Sequence, residues 1–140
     1  MSWVNRRVNV KKTTYSHWDV LLSSPTDPLP VKKRAYQMGL MRKALENCKI
    51  KPSVHDIAAL STAVDLMNTL RGMGHLEDDQ KALEDAMTAL MQGTFNDIEI
   101  RLFEGILEDY QMVMDNLPAR VMIAAHRATE KRFSGEKVAA

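Results

Sequence analysis

The sequence predicts an all-α protein, a compact bundle of about five helices with an extended basic N-terminal arm. Three observations predict it. Apolar residues recur at intervals of three and four along five stretches between Val31 and Phe133. Pro52, Gly72-Met73-Gly74, Gly93 and Pro118 fall between those stretches, where breakers belong. No run shows the sustained alternation that would make a convincing sheet. At 140 residues, 45% hydrophobic and 26% charged, the chain is long enough to bury a real core as one domain.

The first helix is expected over about Val31 to Lys49. Val31, Ala35, Met38, Met41, Leu45 and Cys48 form its stripe, and Lys32, Lys33, Arg34, Arg42 and Lys43 flank it in solvent. Pro52 stops it, because proline cannot donate to the helical ladder. Ser53 then caps a second helix, with Asp56 near its positive end. Ile57, Leu60, Val64, Met67 and Leu70 are its buried stripe, and Gly72-Met73-Gly74 ends it.

A third helix is expected over Glu77 to Gln92. Glu77, Asp78 and Asp79 place carboxylates in its first turn, and Leu83, Ala86, Met87, Leu90 and Met91 face inward. The fourth, about Asp97 to Asn116, has a broad apolar face running from Ile100 to Leu117. Gly105 lies inside it, at about 1 kcal/mol relative to alanine, and a small residue there suits a close helix crossing. Pro118 suits the first turn of a fifth helix through Phe133, with Val121, Met122, Ala125 and Phe133 as its contact side. The alternative is one kinked rod.

Residues 31–140 thus form the helical domain, and residues 1–30 a basic arm and proline-containing linker docking on it. Trp3, Val4, Val8 and Val10 scatter among polar and basic residues as an extended arm. His17–Leu22 is an aromatic and aliphatic knot, with Trp18, Leu21 and Leu22 expected on the bundle. Pro25, Pro28 and Pro30 mark the linker.

Charge is sorted along the chain although the total is only +1. Residues 1–51 hold 11 Lys+Arg against 3 Asp+Glu, a balance of +8. Residues 76–117 hold Lys81 and Arg101 against 11 acids, a balance of −9, and residues 118–140 return to 5 against 2, or +3. Opposed fields of this kind steer macromolecular partners and reject wrong ones. The lone Cys48 excludes an intramolecular disulfide and fits a reducing compartment. No apolar run approaches a bilayer span, and the arm lacks a signal peptide's apolar core. A cytoplasmic protein without membrane association is the expectation.

Chemistry has little to build on. His17, His55, His75 and His126 lack metal-binding spacing, and His75 with the acids at 77–79 reads as an acidic helix start, so no metal or cofactor is expected. Cys48 lies on an apolar stripe, where a structural thiol is expected. Glu84, Asp85, Glu104, Glu108 and Asp109 repeat on solvent faces opposite the apolar stripes, a pattern of solvation rather than acid–base pairing. Gly72-Met73-Gly74 lacks the strand and third glycine of a phosphate loop. The sequence therefore predicts no catalytic residue and no enzyme.

Binding is the better-supported class. Arg6, Arg7, Lys11 and Lys12, with Trp3 and Trp18 nearby and Lys32, Lys33 and Arg34 beyond, suit phosphates and a stacked base. The acidic helix after the second-to-third junction argues against a DNA-recognition helix. Spaced carboxylates suit either a solvated face or a mimic of nucleic acid, and the balanced total disfavours a dedicated mimic. Ten methionines suit core packing, while an exposed patch around Tyr110, Met114 and Phe133 would mark a protein interface, including a homodimer.

Two segments, AYQMGLMRKALENC at 35–48 and LPARVMIAAHRATEKRF at 117–133, resemble stretches of small accessory proteins of bacterial phages and plasmids. The resemblance carries no motif of assigned chemistry. It implies a mobile-element protein, of a kind often devoted to blocking host machinery, anti-CRISPR proteins and restriction inhibitors included. The leading expectation is a non-enzymatic inhibitor or adaptor docking on a host protein or ribonucleoprotein complex. Arg6, Arg7, Lys11, Lys12, Lys32, Lys33, Arg34, Glu84, Asp85, Glu108 and Asp109 are its candidate contact residues. A nucleic-acid-binding regulator and a homo-oligomeric structural component are the alternatives.

Overall fold

The computed structural model describes residues 27–76 and 80–133, the side chain of Phe133 excepted. Among these residues there are five helices and no strand: α1 Val31–Ile50, α2 Val54–Gly72, α3 Gln80–Gln92, α4 Asp97–Asn116 and α5 Ala119–Phe133. The basic arm with Trp3, Arg6, Arg7, Lys11 and Lys12, the knot at 17–22, and the acidic turn at 77–79 lie outside the described residues.

Local chemistry sets the boundaries. Before α2, the Ser53 hydroxyl accepts from the Asp56 backbone N–H at 3.2 Å, and Asp56 Oδ2 accepts from the Ser53 backbone N–H at 3.1 Å. This reciprocal capping box satisfies donors that a helix start leaves open. Gly74 and Gly93 take φ of +87° and +69°, the left-handed turn that ends α2 and α3. Leu117, extended at φ −86° and ψ 146° as the residue before Pro118, separates α4 from α5, so the single kinked rod is excluded.

The first four helices close a ring: α1 packs on α2, α2 on α3, α3 on α4, and α4 back on α1. Cross-chain contacts show α1 and α4 antiparallel. Arg34 meets Asp115 at one end, Tyr110 donates to Gln37 at 3.1 Å, and Lys49 approaches Glu104 at 3.6 Å at the other end. α1 and α3 therefore occupy opposite corners. α2 also touches α4 across the ring and packs on α5, so it contacts every other helix. Ten of its residues are buried, around its whole circumference rather than along the expected stripe.

α5 closes one end of the ring. The Ala119 N–H donates to the Asp27 carbonyl at 2.7 Å, where Leu29 enters the core at 2% exposure. Farther along α5, the Thr129 hydroxyl lies 2.7 Å from that of Thr69, which also accepts from Arg132 at 2.6 Å. α5 thus reaches from the entry of α1 to the last turns of α2.

Several inward assignments are corrected. Val31, Ala35 and Met91 are exposed, while Gln37 and Ala89 are buried instead. Gln37 goes in because the Tyr110 hydroxyl meets its amide inside the core. Tyr110 and Met114 are fully buried, which removes them from any exposed patch. Gly105 is exposed and a Cβ there would meet nothing within 4 Å, so no close crossing between the described helices uses it.

Candidate functional site

The expected cations of α1 divide in two. Lys32, Arg42 and Lys43 are exposed, whereas Lys33 and Arg34 are half-buried, against the expectation that all five are solvated. Arg34 is committed to the fold: its Nη1 pairs with Asp115 at 2.6 Å, and its Nε donates to the Leu29 carbonyl at 2.8 Å. A guanidinium held at both edges serves the α1–α4 seam and the Leu29 strap. Arg42 reaches the Gln111 amide oxygen on the same seam. Lys43 makes no ion pair with any described residue.

The candidate carboxylates lie on the adjacent helices α3 and α4. Glu84, Asp85 and Glu108 are exposed and Asp109 is half-buried. Gln80 donates to Glu84 at 3.1 Å and Lys81 pairs with Asp85 at 3.0 Å, both one turn apart on the outer side of α3. These are exposed pairs of small energetic weight. Over residues 80–116 two cations stand against eight carboxylates, a balance of −6, and Glu84, Asp85, Asp97, Glu104, Glu108 and Asp115 are all exposed. Most of that acid lies on α4, which packs directly on basic α1 through Arg34–Asp115 and Lys49–Glu104, so folding sets the basic and acidic segments side by side. α3, at the corner opposite α1, carries Glu84 and Asp85 against Lys81.

Among the described residues, the cysteine and the histidines are withdrawn from solvent or scattered. Cys48 is buried at 3% exposure, and its burial, followed by the negative charge of Asp56, pushes the thiol up to about 12. His126 is 3% exposed, and burial pulls its imidazole down to about 4. His55 and His75 are exposed on separate elements. No group of three or more His, Cys, Asp or Glu that could hold a metal ion occurs among the described residues.

An open hollow of about 440 Å³ lies where α1 ends and α4 begins, lined by Lys49, Phe95, Asp97, Ile100, Arg101 and Glu104. Lys49 there bonds Glu46 at 2.7 Å, which holds its ammonium above the ordinary lysine range. The hollow's two cations stand beside two carboxylates, which leaves no net field for a charged ligand.

Protein-family profiles, curated proteins and solved structures give no match to this chain. No described helix is long and apolar enough to cross a membrane.

Proposed function

We propose that this protein acts by stoichiometric binding, as an inhibitor or adaptor that docks on a host protein or ribonucleoprotein complex. The observation that carries this reading is the set of exposed carboxylates on the outer sides of α3 and α4, of which α3 lies at the corner opposite basic α1. Glu84, Asp85 and Glu108 are among them, available to a basic partner surface. Charge complementarity of this kind raises the encounter rate and rejects acidic competitors. The burial of Cys48 and His126 adds support, since neither reaches solvent where a substrate would meet it. An anti-defence role is the most specific form of the proposal, and it rests on the phage- and plasmid-like segments alone.

The alternative of a nucleic-acid-binding regulator draws less from the described residues. Arg34 is spent on Asp115, and Lys33 is half-buried.

The test is affinity capture from bacterial lysate with the tagged chain and with its Glu84→Lys/Asp85→Lys variant, each with and without nuclease. A protein complex retained through nuclease by the parent chain and lost by the variant is the expected result. Identical capture by both baits would overturn the role of α3. Partners that vanish with nuclease would shift the reading to nucleic acid.

A further inference from the structure

No other described element covers the paired outer side of α1 and α4. On α1 this side carries Tyr36 and Ile50, at 65% and 88% exposure, with exposed Lys32 and Lys43 on the same helix face. On α4 it carries Ile98 and Met112, at 79% and 59%, with exposed Glu108 between them in sequence and Asp115 beyond. Each helix thus presents large apolar groups among charges of one prevailing sign, and the two signs are opposite. Gly39 and Gly105, interior to these helices, are both exposed, and a Cβ at either would meet nothing within 4 Å. No described residue accounts for either glycine, at about 1 kcal/mol each relative to alanine.

We infer that this face binds a second copy of the chain in a two-fold dimer whose axis runs parallel to α1 and α4. The ties Arg34–Asp115 and Lys49–Glu104 fix the relative heights of the two helices. By that scale Tyr36 is level with Met112, Lys43 with Glu108, and Ile50 with Ile98, each to within about one and a half helical turns. A two-fold parallel to the helices keeps height and exchanges sides, so α1 of one copy lies on α4 of the other, twice. Every level pair then becomes a contact: Tyr36 on Met112, Lys43 beside Glu108, Ile50 on Ile98. An axis perpendicular to the helices would set α1 on α1 and α4 on α4, opposing like charges, and is disfavoured.

The face measures about 30 Å by 20 Å, or about 1,200 Å² over both copies, the lower bound of specific interfaces. The dimer is therefore a weak, salt-sensitive one. It covers Glu108 but leaves Glu84 and Asp85 on α3 free on both copies, so the capture test on those two residues and the dimer test can fail separately.

Sedimentation equilibrium of the full chain at low and high salt tests this, with Lys43→Glu and Glu108→Lys as variants. Both positions are exposed, and circular dichroism checks that the helices are retained. The parent chain is expected to dimerise, more weakly in high salt. Each single variant sets like charges together at both symmetric contacts and is expected to weaken the dimer about tenfold or more. An equimolar mixture of the two variants pairs opposite charges at both contacts and is expected to recover dimer. A parent chain that remains monomeric at about 0.1 mM in low salt overturns the inference. Variants as dimeric as the parent, or a mixture no tighter than either variant alone, overturn it equally.

Discussion

His126 carries the clearest consequence at the scale of one residue. Burial lowers its folded pKa from 6.5 to about 4, so between those values the unfolded chain binds a proton that the folded chain does not. Stability is then full above about pH 6.5 and falls as pH drops toward 4, by about 3 kcal/mol in all. Urea denaturation at pH 7.5 and pH 5 is expected to show this loss, and His126→Leu is expected to reduce the difference. At this scale the sequence is a partial guide. Periodicity identifies Met38, Leu60, Val64 and Phe103 as core, because apolar residues at helical spacing have one place to go. It misses Gln37, Ser61, Asp65, Thr69 and Thr129, all buried. Their burial depends on bonds to the preceding turn, such as Ser61 to the Ile57 carbonyl, or to residues such as Tyr110, 73 positions away. Periodicity cannot register either.

Helix boundaries are the most legible elements, since proline, glycine and capping residues act within a few positions of themselves. Ser53 is the case to test. Burial alone would push the Asp56 carboxyl up, but bonds from the Asn47 amide and from the Ser53 hydroxyl and backbone outweigh it and hold the carboxyl low. Ser53→Ala removes the hydroxyl from that arrangement and is expected to cost about 1 kcal/mol, read as a lower urea midpoint with unchanged slope. α4 has a related start, where the Asn96 N–H donates to Glu99 at 3.0 Å. α2 is where element reading falls short. Its five-residue stripe suggests a helix with one buried side, yet between Ile57 and Leu70 the sole charged residue is Asp65. That scarcity of charge is the signal for a helix enclosed on all sides.

For the whole molecule, charge order along the chain is legible, but its arrangement in space depends on ring closure. Four helices in sequence give alternating directions from short connections alone. That α1 returns to pack on α4, and that α5 closes the end rather than extending the ring, rests on pairings such as Arg34–Asp115 and Ala119–Asp27. These join residues about 80 to 90 positions apart, beyond any local pattern. Such closure also makes solvent access unequal along the chain. The central amides of α2 lie among the other four helices. Hydrogen exchange followed by mass spectrometry is expected to find the central amides of α2, about residues 60–70, exchanging only through global unfolding, with the protection set by the full stability of the protein. Those of α3, whose outer side faces water, should exchange sooner through local fluctuations. The innermost helix is thereby a built-in gauge: its slowest amides report, at any pH or with any bound partner, how far the whole molecule stands from unfolding.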